Sequence, residues 1–244
     1  MSNKKRIYSS YAARTRERRR KWLKRQRIKR CVLLISGAAF FVLLICGIVS
    51  VCGHKTSKQV MSNPKILPKI TIDTKLLKKN EYSRPGMPIG NIKGVVVHYT
   101  ANPGTNAEEN RNYFNNLPRL NKNKQNPTYA SSHFIIGLEG QIVQCIPLNE
   151  ISYASNDRNK DTISIECCHP DESGKFNTLT YKALVELVSY LCIRFDLDES
   201  DVIRHYDVTG KLCPLYFVKH ENEWEKFKKE VAQKRQGYVP TPKS

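Results

Sequence analysis

Three parts of this 244-residue chain carry side chains that can do chemistry at a shared centre. His98 lies near the end of the run Val95-Val96-Val97-His98-Tyr99. The C-terminal end of a buried strand is where active-site side chains commonly emerge from an α/β sheet. A second group lies in Arg204-His205-Tyr206-Asp207-Val208-Thr209-Gly210-Lys211-Leu212-Cys213-Pro214, where a His at a strand end is followed by a loop with a Gly and by a Cys eight residues on. The third is Glu166, in Thr162-Ile163-Ser164-Ile165-Glu166. Imidazole nitrogen and thiolate sulfur bind zinc at about 2.0–2.1 Å and about 2.3 Å, and two His with one Cys leave a fourth position open for water, as in a catalytic zinc site. Spacing alone leaves the ordinary alternatives open. His98 could be a satisfied core histidine, and Glu166 a salt-bridged surface carboxylate.

The elements that must hold these residues follow from the apolar pattern over 91–236. Residues 95–99 form a buried-type strand. A helix is expected over 106–117, with Asn106 capping it ahead of Glu108 and Glu109. Strands over 132–136 and 141–146 flank Gly137-Leu138-Glu139-Gly140 and make a hairpin. A strand over 162–168 puts Ile163, Ile165 and Cys167 on one face and Ser164, Glu166 and Cys168 on the other. Leu184, Leu187, Val188, Leu191 and Phe195 form a helical stripe, 202–205 a short strand, and Trp224, Phe227 and Val231 a closing helix. Strands interleaved with helices predict one α/β domain with a central mixed sheet flanked by helices.

Four segments in order resemble the zinc-dependent N-acetylmuramoyl-L-alanine amidases of the type 2 group, whose fold is shared with the peptidoglycan recognition proteins. They are Val95 to Thr100, Ser131-Ser132-His133-Phe134-Ile135-Ile136-Gly137, Thr162 to Glu166, and His205 to Pro214. Carried over residue by residue, the resemblance implies zinc on His98, His205 and Cys213, with Glu166 and Lys211 as catalytic residues. It implies cleavage of the amide between N-acetylmuramic acid and L-alanine of peptidoglycan. A relative that binds peptidoglycan without cutting it is the alternative, and such relatives commonly lack the last Cys. Ser132 stands where some members place a Tyr. His133 is expected to pack or hydrogen-bond beside the site, and His54, His169 and His220 to lie at the surface. Cys145, Cys167, Cys168 and Cys192 leave a disulfide open, with no pairing deducible.

The rest of the chain bears on location. Residues 1–30 hold 14 of the 41 Lys and Arg and one acid, which leaves +6 of the +19 net charge for everything after them. A nucleic-acid partner is therefore not indicated for the main domain. Residues 31–53 are uncharged, and 23 residues as a helix reach about 34 Å at about 1.5 Å per residue, enough for a hydrocarbon core of about 30 Å. Positive charge before the span predicts a cytoplasmic N-terminus and a domain outside. A cleavable signal has a shorter apolar stretch, about 7–15 residues. The expected organisation is a basic tail over 1–30, a transmembrane helix over 31–53, an extracytoplasmic tether over 54–90, the amidase-like domain over 91–236 and a short tail over 237–244.

Overall fold

The structure, a computed structural model, describes residues 67–237. The basic tail, the apolar span over 31–53 and the first part of the tether lie outside those residues. Among the described residues no helix is long and apolar enough to cross a membrane.

Six strands form one sheet in the order β1-β4-β3-β5-β2-β6. They are β1 (Asp73–Thr74), β2 (Val95–Tyr99), β3 (Phe134–Ile136), β4 (Ile142–Gln144), β5 (Ile163–Cys167) and β6 (Val202–Arg204). Neighbours run parallel except the β3–β4 hairpin, so the sheet is mixed. The helices are α1 (Ala107–Asn115), α2 (Leu117–Leu120), α3 (Thr178–Phe195), α4 (His205–Thr209), α5 (Leu215–Lys219) and α6 (Glu221–Gln236).

Both sheet faces are covered, which is why the strands read as nearly continuous apolar runs. Val95, Val97, Ile163 and Ile165 meet Leu184, Leu187 and Leu191 of α3 with Trp224 and Phe227 of α6. On the other face, Ile135, Val143 and Cys168 pack with Ala107 and Phe114 of α1. Strand alternation then sends His98 and Glu166 to the α1 face, and the β2–β5 register sets them side by side.

Helix α1 starts as the sequence predicts. Asn106 accepts from the Glu109 amide while the Glu109 carboxylate accepts from the Asn106 amide. Helix α3 begins earlier than its apolar stripe, because Asn177 caps the amides of Leu179 and Thr180.

From Leu67 onward the stretch read as tether is laid on the domain. β1 adds an edge strand parallel to β4, and the Leu77 amide bonds to Cys145 O at 2.9 Å. Leu77 is buried in the α1-side core. Arg84 clamps the segment, with Nε and Nη2 donating to the two Glu150 oxygens at 2.8 and 2.9 Å and Nη1 donating to Leu77 O.

Candidate active site

The ends of β2, β5 and β6 converge on one cleft of about 430 Å³. His98 is the fourth residue of β2 and His205 the first of α4, directly after β6. Their rings lie 4.6 Å apart between centroids. α4 lasts five residues and stops at Gly210, whose φ of +81° turns the chain back on itself. That turn, with the Tyr206 amide donating to Cys213 O at 2.9 Å, returns Cys213 beneath the histidines. Cys213 Sγ is 3.7 Å from His98 Nδ1. Among the described residues, one donor atom each from His98, His205 and Cys213 lie within 4.8 Å of one another, and all three residues are buried.

This trio fits a divalent zinc-like ion. Ligands about 2.05 and 2.3 Å from a common ion at a tetrahedral angle stand about 3.6 Å apart, close to the sulfur–nitrogen separation seen. His205 Nδ1 is buried with no hydrogen-bond partner. His98 Nε2 and His205 Nε2 are engaged elsewhere, with Ser155 Oγ at 3.1 Å and Asn156 Oδ1 at 3.3 Å. The electrostatics agree. Burial, with His205 and the Lys211 ammonium, holds His98 well below the usual imidazole range, and burial with Lys211 lowers His205 to about 4. Both rings are thus neutral and able to donate lone pairs. Burial, reinforced by Glu166, pushes the Cys213 thiol up to about 12, so a cation among the donors is what would hold it as thiolate.

Glu166 sits beside the trio, Oε1 4.0 Å from His98 Nδ1, and its other oxygen is buried without a partner. Burial raises its carboxyl to about 8, against the pull of Lys211. That is the range of a group that exchanges protons near neutrality. Lys211 is exposed and lines the same cleft. All five residues singled out in the sequence therefore border one cleft.

His133 does not join them. It is fully buried, the Ser164 amide donates to its Nδ1 at 3.1 Å, and its Nε2 donates to Glu150 O at 2.9 Å. With both nitrogens committed, it braces β3 against β5. Ser132 is buried and its hydroxyl donates to Phe134 O. Tyr99, Tyr129 and Tyr153 line the cleft instead, and the rings of Tyr129 and Tyr153 meet edge-on at 5.8 Å. Tyr129 is 51% exposed.

One expectation is corrected. His169, read as a surface residue, is 1% exposed, with its ring 5.1 Å from Tyr99 and Nδ1 bonded to Asp171 O. The loop after β5 folds back over Tyr99 and takes His169 with it. His220 is exposed, and His54 lies outside the described residues. The described cysteines are free thiols, and the vicinal Cys167 and Cys168 are both buried in packing.

Sequence reasoning missed Ser155, Asn156, Tyr129 and Tyr153. They sit outside the strands and α-helices, Asn156 at the start of a one-turn 3-10 helix, where no period marks a residue as facing the site.

Comparison with known proteins adds a family. The family described as N-acetylmuramoyl-L-alanine amidase matches residues 88–215, more than half of the chain. The chain is similar to N-acetylmuramoyl-L-alanine amidase CwlL of Bacillus licheniformis, 34% identical over 167 residues that cover 64% of this chain and 45% of that one. It is similar to N-acetylmuramoyl-L-alanine amidase BlyA of Bacillus subtilis (strain 168), 32% identical over 179 residues that cover 65% of this chain and 46% of that one. The match thus spans about half the length of these curated relatives. Among solved structures, the catalytic domain of XlyA superposes with a TM-score of 0.54 at 25% identity, covering 66% of this chain and 99% of that one. A mutant endolysin from Bacillus subtilis gives 0.55 at 26%, covering 67% and 99%.

Proposed function

The chain belongs to the N-acetylmuramoyl-L-alanine amidase family, and from that premise we propose that it hydrolyses the amide between the lactyl group of N-acetylmuramic acid and the L-alanine of the peptidoglycan stem, with zinc held by His98, His205 and Cys213. The observation that carries this reading is three buried donors within 4.8 Å of one another, at the foot of an open cleft that also holds a carboxylate. Zinc, when bound, supplies Lewis-acid polarisation of the scissile carbonyl and acidifies water at the site towards a pKa of about 7. Glu166 takes the proton of the attacking water and delivers it to the departing alanine nitrogen, so the C–N bond breaks to a carboxyl on the lactyl side and an amine on the peptide. The Lys211 ammonium stabilises the oxyanion that develops on the carbonyl oxygen. Tyr129 and Tyr153 give the cleft an aromatic wall that suits the sugar. A module that only bound peptidoglycan would need none of the three donors.

Incubating the full chain with peptidoglycan should release new L-alanine amino termini. A chelator should stop the release, and added zinc should restore it. Wall material retained by the protein with no new amino termini would make it a binding module.

The same reading includes location. An uncharged run over 31–53 behind a +13 tail supports a membrane anchor with the domain outside, facing its substrate. Protease added to intact spheroplasts should remove the C-terminal domain. Survival of the domain until the cells are lysed would reverse the orientation.

A further inference from the structure

We propose that Ser155 and Asn156, adjacent residues of one loop, are the positioning residues that set the tautomer and orientation of both histidines of the metal trio. This rests on the metal reading above and deepens it. His98 and His205 come from different elements, the end of β2 and the start of α4. One nitrogen of each ring is left for the trio: His98 Nδ1 lies 3.7 Å from Cys213 Sγ, and His205 Nδ1 is buried without a partner. The other nitrogens meet the same short loop, His98 Nε2 at Ser155 Oγ and His205 Nε2 at Asn156 Oδ1.

The Asn156 contact fixes which nitrogen of His205 carries the proton, and the Ser155 contact is compatible with the same tautomer for His98. A carboxamide oxygen only accepts, so His205 donates through Nε2–H and leaves the Nδ1 lone pair free. A hydroxyl can accept as well, and with Ser155 Oγ accepting from Nε2–H, His98 also presents a bare Nδ1 to the trio. A ligating histidine anchored through its other nitrogen is held in the tautomer and ring orientation that the metal needs.

The loop is built to hold this geometry. The Asn159 carboxamide oxygen accepts from the amides of Ala154 at 3.0 Å and Ser155 at 2.6 Å. The amides of Arg158 and Asn159 close back on Ser155 O and Asn156 O, both at 3.0 Å. Asn156 adopts φ +52°, in the left-handed region. Glycine would relieve that conformation, yet glycine has no acceptor. Asparagine is the residue type that tolerates the region and still brings an oxygen to His205. The two contacts differ in burial. Ser155 and His98 are 1% and 2% exposed, whereas Asn156 is exposed and open to solvent.

The test uses the full chain stripped of metal, then titrated with zinc against a chromogenic chelator. Removing such a supporting contact typically costs about 10–100-fold in metal affinity. Ser155→Ala should fall in that range. Asn156→Gly, which keeps the backbone conformation and deletes only the acceptor, should show a smaller loss, and Asn156→Asp should keep parental affinity. Long-range ¹⁵N–¹H spectra of the metal-free chain should show both histidines protonated on Nε2, with the protected His98 proton resonance lost in Ser155→Ala. Apo-protein Tm separates these effects from misfolding, and should Ser155→Ala fail to fold, parental zinc affinity in Asn156→Gly alone overturns the proposal. Parental zinc affinity in both Ser155→Ala and Asn156→Gly, or His98 protonated on Nδ1, overturns the proposal while leaving the metal reading intact. Failure of the parent chain itself to bind zinc overturns both.

Discussion

On the proposed reading, replacing Cys213 with alanine should abolish zinc binding and amide hydrolysis together, while Cys192→Ala should leave both in place. Each cysteine is a buried free thiol, 2% and 1% exposed, so burial alone does not separate them. Position does. Cys213 Sγ stands 3.7 Å from His98 Nδ1, whereas Cys192 lies in α3 among the apolar side chains that pack on the opposite sheet face. A structural zinc site contributes about 10–16 kcal/mol, or about 2.5–4 kcal/mol for each of four ligands. Losing one ligand then weakens binding by about 10²–10³-fold. Because Cys213 is the one anionic member of the trio, its loss should fall at the upper end. Zinc content by elemental analysis, with amide cleavage measured on the same samples, reads the effect. Cys192→Ala serves as the control for a core thiol lost without a ligand lost. Equal zinc in Cys213→Ala and the parent would remove Cys213 from the ligand set.

The parts of this site that were legible in the sequence are those anchored to regular structure. Val95 to Val97 is a β-branched run that can only be a buried strand, and the residue that ends it, His98, was marked by that position. Glu166 was placed by alternation along β5, with Ile163 and Ile165 assigning the opposite face to the core. His205 and Cys213 needed the motif as a whole, because the turn at Gly210 that brings them together has no period to read. What stayed hidden was decided by long-range closure. β1 is two residues long, too short for any pattern, and it is held on the sheet edge by β4 and by the Arg84–Glu150 clamp, 66 positions apart in sequence. Ser155 and Asn156 look like an ordinary solvated turn until β2 and α4 deliver two imidazoles to them. His169 was misjudged for a related reason. Its burial depends on the loop after β5 folding back over Tyr99, a contact that local polarity does not announce.

Glu166 and Lys211 should separate chemistry from metal binding. Neither belongs to the trio, so Glu166→Gln and Lys211→Met should keep parental zinc content. Loss of a general base typically costs about 10²–10⁴-fold in rate. Loss of an oxyanion-stabilising group costs about 10²–10³-fold, roughly 2.7–4 kcal/mol. Both groups are proposed to act on the transition state, so kcat should fall while KM changes little. The pH profile adds a readout that a merely structural role would not give. In the metal-free site burial raises the Glu166 carboxyl to about 8 against the pull of the Lys211 charge, and a bound dication would pull it down further. Only the carboxylate can accept a proton, so kcat/KM should rise with pH through the Glu166 pKa and level off above it. Lys211→Met removes one of those pulls, the carboxyl pKa moves up, and the rising limb should shift to higher pH. In Glu166→Gln the carboxyl's contribution to that limb should vanish, leaving only the titration of water acidified at the site. Measured rates within a few-fold of the parent in both variants, with an unmoved limb, would take these two residues out of the mechanism even with the zinc site standing.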